Sequence, residues 1–91
     1  MIELSIFHES FFRAVVHYSA IESKLAQRFI DAVEDAKRRI TAFPKTGKMR
    51  DGYRMVLLKD FPYRLCYLEN QDGEIVALVL FHFKQKGLFR P

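Results

Sequence analysis

The sequence contains one cysteine, Cys66, and no tryptophan among its 91 residues. A single cysteine excludes an internal disulfide and any zinc site built from several cysteines. Three histidines spread along the chain also argue against a metal centre. We therefore expect no metal and no cofactor, and the cysteine usage favours a reducing, intracellular setting.

Long apolar runs are missing as well. No stretch approaches the about 18–20 apolar residues that a membrane-spanning helix needs. The first residues, MIELSIFHES, carry Glu3 and lack the basic start of a signal peptide. We expect a cytoplasmic protein without a membrane partner. A chain of 91 residues, 49% of them hydrophobic, can form one core but not two, so we expect a single domain over residues 1–91.

Basic charge is concentrated in the second half of a chain whose net charge is +4. Segments 45–64 and 84–91 hold nine basic residues and two acids, whereas the rest holds six basic residues and nine acids. Such a distribution favours nucleic acid or an acidic protein as partner, and a solvated basic face is the alternative. Within the run FPYRLCY, Arg64 needs either an acid on the helices, or Asp60, or an anionic ligand.

Apolar periodicity predicts an α+β fold. The clearest element is a helix over 20–43, with an apolar stripe that includes Leu25, Phe29 and Val33. Ser19 and Glu22 have the spacing of a capping box at its start, and Pro44 ends it. The predicted elements are a strand at 1–7, helices at 9–18 and 20–43, and strands at 53–58, 63–69 and 74–83. We expect an N-terminal strand, a two-helix hairpin and a mainly antiparallel sheet with three further strands, of which 75–81 is central.

Three blocks of the sequence resemble the RelE/ParE superfamily of toxins from bacterial type II toxin–antitoxin modules, often labelled plasmid stabilization proteins. They are AFPKTGK at 42–48, GYRMVLLKDFPYRLCY at 52–67, and the apolar strand that ends in His82 before further basic residues. The resemblance implies a compact α+β fold and tight binding by a cognate antitoxin. It also implies one of two activities: RelE-like members cut mRNA in the ribosomal A site, whereas ParE-like members inhibit DNA gyrase and are not nucleases.

If the protein is a nuclease, the resemblance implies catalytic roles for Arg64 and His82. Arg64 is similar to the arginine that clamps phosphate, and His82 to the histidine that serves as acid or base. The nucleases that use a histidine also have a glutamate upstream of the arginine, and the loop PKTGKMR contains no such residue. RelE members instead use a tyrosine near the C-terminus, whereas the residue after His82 in this sequence is Phe83. Alternatively, His82 is a partly buried histidine at a strand end with a satisfied hydrogen bond.

The ParE-like branch is favoured because a complete acid–base set is missing, and because the long second helix resembles that branch. The primary hypothesis is a toxin that inhibits growth through DNA gyrase and is neutralised by an antitoxin. The alternatives are a ribosome-dependent mRNA endonuclease and a decayed, non-toxic basic domain. The residues expected to contact a partner or nucleic acid are Lys48, Arg50, Arg54, Lys84, Lys86 and Arg90.

Overall fold

A computed structural model gives the structure of the protein and describes residues 1–84. The elements are β1 (Ile2–Glu3), α1 (Ser5–Ile21), α2 (Ser23–Ala42), β2 (Lys48–Arg50), β3 (Tyr53–Leu57), β4 (Tyr63–Glu69) and β5 (Ile75–His82). A strand, two helices and a mostly antiparallel sheet follow one another, so the predicted α+β class is confirmed.

The strands of the described residues form one sheet in the order β1-β5-β4-β3-β2. Neighbours from β2 to β5 are antiparallel, whereas β1 runs parallel to β5. Strand β5 therefore lies inside the sheet, as its continuous apolar sequence predicts. The register of β4 and β5 places Tyr63 opposite His82 and Arg64 opposite Phe81. This register decides which side chains can meet, because neighbouring residues of a strand point to opposite faces.

The helical hairpin packs on one face of the sheet. Helix α2 directs Phe29, Val33, Ala36 and Ile40 inward at helical spacing, and all four are fully buried. They belong to one core cluster with sheet residues of a single face, among them Tyr63, Leu65, Tyr67, Ala77 and Leu80. Cys66 and Val79, which alternate to the other face, are not members of that cluster. We call this second face, which the helices do not cover, the open face.

The predicted first strand is too long. Residues 1–7 alternate in hydrophobicity, but β1 has two residues and α1 begins at Ser5. The helical spacing of Phe7, Phe11 and Ala14 prevails, since it places these side chains on or against the core. Ile6, which the alternation placed on a buried strand face, is exposed.

The predicted capping box is also wrong. Ser19 lies inside α1, and the break between the helices falls at Glu22, whose backbone is extended with φ −166°. No side chain caps this helix start; instead, the Glu22 carbonyl accepts hydrogen bonds from the amides of Leu25 and Ala26. The spacing of a serine and a glutamate is therefore incidental here.

Strand β2 was not predicted from the sequence, so the predicted sheet has one strand fewer than the sheet of the described residues. Lys48–Arg50 has three exposed residues and lies between two turn sequences, so it carries no apolar alternation. It is a strand because it pairs with β3, with Lys48 opposite Met55 and Arg50 opposite Tyr53.

Candidate functional site

A groove of about 560 Å³ lies on the open face and is lined by basic and apolar side chains. Its lining residues are Lys48, Met49, Arg50, Met55, Leu57 and Arg64. Strand register explains the grouping: Lys48 pairs with Met55, and Leu57 pairs with Arg64, so each pair shares a face. The lining contains three basic residues and no acid. We call this site the open-face groove.

Arg64 is the innermost basic residue of the open-face groove, since it belongs to β4 and is half-buried. Its guanidinium carbon lies 4.6 Å from the centroid of the Phe83 ring, a cation–π contact. Within residues 1–84 it forms no ion pair. Within residues 1–84, the prediction that Arg64 pairs with an acid of the helices or with Asp60 is therefore wrong. The reason is topological: the helices cover the opposite face of the sheet.

Arg64 also lies beside the cysteine of the same strand. Cys66 is fully buried, and burial raises the pKa of its thiol to about 11, although the positive charge of Arg64 acts in the other direction. The thiol is therefore protonated at neutral pH and is a poor nucleophile. Cys66 acts as an apolar core residue, as its position in the strand sequence indicates.

The loop that leads into β2 is held by two side chains. Arg54 donates from Nη1 to the Gly47 carbonyl at 2.9 Å and to the Lys45 carbonyl at 3.4 Å. Tyr67 accepts a hydrogen bond from the Gly47 amide at 2.9 Å and donates to the Pro44 carbonyl at 2.8 Å. Arg54, expected to contact a partner, thus directs its guanidinium to the backbone that positions the start of β2.

His82 lies on the helix-covered side, at the end of β5. Its ring packs edge-to-face on Tyr63, with centroids 4.9 Å apart, and its Nδ1 accepts a hydrogen bond from the Lys84 amide at 2.9 Å. It is half-buried, in agreement with the structural interpretation of this histidine. Burial, together with nearby Tyr18, raises the pKa of Tyr63, so this neighbouring phenol stays neutral at physiological pH.

The structure does not bring Arg64 and His82 together. Strands β4 and β5 are antiparallel neighbours, but Arg64 shares a face with Phe81, and His82 shares the other face with Tyr63. Arg64 consequently lines the open-face groove, while His82 borders a different groove beside α1. A phosphate held by the guanidinium in the open-face groove is therefore separated from the imidazole by the sheet.

Comparison with known proteins gives the family. A sequence model described as the ParE toxin of the type II toxin–antitoxin system parDE matches residues 9–86. The chain belongs to the ParE toxin family. A solved structure described as the chromosomal ParDE TA system from P. aeruginosa has a TM-score of 0.76 and 13% identity, covering 90% of this chain and 92% of that one. At this identity it confirms the fold alone. No curated protein matches the chain.

In this ParE-family toxin, the structure brings two of the predicted contact residues, Lys48 and Arg50, into one groove with Arg64, the residue that a nuclease would use as phosphate clamp. Lys84 is exposed just beyond β5, and the predicted contacts at Lys86 and Arg90 lie outside the described residues. Among residues 1–84 there is no cluster of histidine, cysteine and carboxylate side chains suited to a metal ion. Over the same residues, no helix is long and apolar enough to cross a bilayer.

The apolar part of the open-face groove was not predicted from the sequence. Met49 and Leu57 are each 55% exposed, and Met55 lies between them. The available signal was the alternation within β3, where Met55 and Leu57 have the opposite parity to buried Val56. Exposed large apolar residues next to basic ones indicate a surface that binds a partner.

Proposed function

We propose that this protein is a growth-inhibiting toxin that acts on DNA gyrase in the cytoplasm and is neutralised by a cognate antitoxin. Membership of the ParE toxin family supports the toxin role. The main structural support is the open-face groove. It is lined by Lys48, Arg50 and Arg64, and its lining contains no acidic residue. Arg50 has one acid nearby, Asp51 at 3.9 Å, whereas Lys48 and Arg64 form no ion pair within residues 1–84. Desolvating these two cations without a counter-charge is costly, so a partner that supplies acidic groups is favoured.

The antitoxin is proposed to cover the open-face groove. Methionine and leucine side chains offer an adaptable apolar surface, and the basic residues around them select acidic residues in the partner. A segment that is both apolar and acidic therefore suits this groove. Strand β2 lies at the sheet edge beside it, where an extended segment can pair with the backbone.

Separation of Arg64 from His82 supports gyrase inhibition over mRNA cleavage. Metal-free RNA cleavage requires an acid or base and a cationic clamp at the same phosphate. Here the two candidates occupy opposite faces of the sheet. In addition, the lining of the open-face groove contains no histidine or carboxylate that can move a proton.

The test is inducible expression in bacterial cells, alone and together with the neighbouring reading frame. DNA and protein synthesis are followed by pulse labelling, and purified toxin is assayed for inhibition of supercoiling by gyrase. The key variant is Arg64→Gln. The matched control is Arg28→Gln, because Arg28 is an exposed arginine on α2 and lies outside the open-face groove.

We expect DNA synthesis to fall before translation does, and co-expression of the neighbour to restore growth. Arg64→Gln should weaken toxicity or antitoxin binding, whereas Arg28→Gln should behave as wild type. Cleaved mRNA ends and an early fall in translation would replace gyrase with the ribosome as the target. Normal growth of cells that contain soluble wild-type protein would favour the decayed, non-toxic domain.

A further inference from the structure

The turn between β2 and β3 consists of Asp51 and Gly52, and it stands clear of the rest of the protein. Both residues are exposed, and the Asp51 side chain is 79% accessible. No heavy atom outside the neighbouring residues lies within 4 Å of the position that a Cβ on Gly52 would take. The turn joins β3 to the strand that carries Lys48 and Arg50, so its integrity affects the open-face groove.

The backbone of this turn is left-handed at both residues. Asp51 has φ +49° and Gly52 has φ +88°. Two consecutive left-handed residues form the tight turn of a two-residue hairpin, and aspartate followed by glycine is a pair that this turn prefers. The conformation explains why a glycine follows Asp51, because a residue with a Cβ would be strained at this φ.

An aspartate that precedes a glycine can react with its own backbone. The glycine nitrogen attacks Cγ of the aspartate, the carboxyl hydroxyl and the amide hydrogen leave as water, and a five-membered succinimide forms. Water then opens this ring at either of its two carbonyl–nitrogen bonds. Cleavage next to Cγ restores aspartate, whereas cleavage of the original peptide bond gives isoaspartate, whose main chain runs through Cβ and Cγ. One water leaves and one returns, so no further reactant is needed and the mass is unchanged.

The nitrogen that must attack is accessible in this turn. Within residues 1–84, the Gly52 amide donates no hydrogen bond. The ion pair of Asp51 with Arg50 Nε is long, at 3.9 Å, and exposed on both sides, so it contributes little to holding the carboxylate. Ring closure requires the turn to open locally. A turn next to an exposed three-residue edge strand opens at low free energy.

A second aspartate–glycine pair provides an internal comparison. Asp72 and Gly73 are also exposed, and Gly73 is also left-handed, with φ +80°. Here, however, the Gly73 amide donates to the Asn70 carbonyl at 3.0 Å. The side-chain oxygen of Asn70 also accepts hydrogen bonds from the amides of Asp72 and Glu74. The attacking nitrogen is thus occupied and its loop is held, although exposure and local sequence match those of the first pair.

From this difference we infer that Asp51 is a modification site, which isomerises to isoaspartate through the succinimide and does so faster than Asp72. The extra main-chain atom lengthens the two-residue turn, so Arg50 and Tyr53 no longer pair in register. Among the described strands, β2 pairs with β3 alone, and it therefore detaches. Lys48 and Arg50 are then lost from the open-face groove.

The consequence for activity rests on the proposed function, whereas the isomerisation itself does not. A free toxin that ages by this route loses the basic side chains of β2 without the action of an enzyme. A partner seated on the open-face groove stabilises the closed turn, because it binds the native form and not the opened one. The antitoxin complex should therefore isomerise more slowly than the free toxin.

The test is to incubate the purified full chain at neutral pH and physiological temperature, and to locate isoaspartate by mass spectrometry with electron-based fragmentation. Trypsin separates the two aspartate–glycine pairs, since Arg54 and Arg64 lie between them in the sequence. We expect isoaspartate at position 51 to accumulate over days, several-fold faster than at position 72. Asp51→Glu should abolish the signal in the first peptide, because attack would require a larger ring, and Asp72→Glu should leave that signal unchanged.

Equal rates at positions 51 and 72, or reaction at 72 alone, would overturn the proposal, since the hydrogen bonds to Asn70 would then make no difference. The modified chain is next purified by chromatography and examined by NMR. Cross-strand contacts between β2 and β3 should be absent from it and present in fresh protein, and their persistence would also overturn the proposal. Loss of β2 with unchanged inhibition of gyrase supercoiling would support the modification site. That result would count instead against the open-face groove as the contact surface of the toxin, so the two proposals fail separately.

Discussion

The hydroxyl of Tyr67 accepts a hydrogen bond from the backbone amide of Gly47 at 2.9 Å, inside the protein. The same hydroxyl donates to the Pro44 carbonyl, and the tyrosine is fully buried. A residue of the central strand β4 thereby fixes the loop between α2 and β2. Because Lys48 follows this loop directly, the core sets the position of one edge of the open-face groove.

Tyr67→Phe should destabilise the protein by about 1–3 kcal/mol, because it leaves a buried amide and a carbonyl without their partner. Urea unfolding followed by circular dichroism measures the difference. Tyr18→Phe is the control: it removes a half-buried phenol oxygen that has no hydrogen bond within residues 1–84, and it should cost much less. Equal losses in the two variants would mean that the Tyr67 hydrogen bonds contribute nothing specific.

Gly47→Ala should also be destabilising, for a steric reason. A Cβ at this position would lie 2.7 Å from the Tyr67 hydroxyl oxygen and 2.9 Å from a carbon of its ring. The Tyr67 ring is buried, and its hydroxyl forms two hydrogen bonds, so it cannot move away at low cost. We expect the free energy of unfolding to fall by about 1–3 kcal/mol.

Adding Tyr67→Phe to Gly47→Ala tests this origin. The phenylalanine removes the closest contact, so the double variant should lose less than the sum of the single variants. Strict additivity in urea unfolding would show that the alanine acts elsewhere, for example on the unfolded chain.

Local sequence patterns predicted the elements that depend on one periodicity. Helix α2 is apolar on one stripe and charged on the other, and its bounds fell close to the expected 20–43. Helix α1 is harder because it carries apolar residues on both sides: Phe7 faces the core, whereas Phe12 and Val16 are exposed. Strand β2 exists only through its pairing with β3, which no local pattern records.

The candidate site was only partly visible in the sequence for a similar reason. Basic residues in 45–64 indicated a cationic surface, and Lys48, Arg50 and Arg64 do share one groove. The register of β4 and β5 was not available from sequence, yet it decides that Arg64 and His82 diverge. The contacts of Arg54 with two loop carbonyls depend on the fold of residues 44–47, which composition cannot supply.

The single thiol should be inert in the folded protein. Cys66 is fully buried, and burial raises its pKa to about 11, so both access and thiolate population are low. A chromogenic disulfide reagent at mildly alkaline pH should react with less than one thiol per chain over minutes, and with one thiol per chain in denaturant. Prompt reaction without denaturant would contradict the burial of this side chain.

The last prediction concerns the ion pair that ties β1 to α2. Lys37 Nζ lies 2.6 Å from Glu3 Oε2, and His8 Nε2 lies 2.9 Å from Oε1. Hydrogen bonding from Lys37 is the main cause that lowers the pKa of Glu3, with His8 adding to it and partial burial opposing it. A carboxyl group whose pKa is lowered by folding stabilises the protein above its unfolded pKa. That stabilisation is lost as the pH falls through the folded value.

Lys37→Met should therefore raise the pKa of Glu3, as measured by NMR titration of its carboxyl carbon. It should also reduce the amount of stability that the protein loses between neutral and acid pH, as measured by urea unfolding. Lys24→Met is the control, since Lys24 is exposed and forms no ion pair within residues 1–84. Because both partners at Glu3 are partly exposed, added salt should diminish the difference between wild type and Lys37→Met. An unchanged Glu3 pKa in that variant would mean that His8 alone holds the carboxylate, and Lys37 would then serve only to pack over the ring of Phe7.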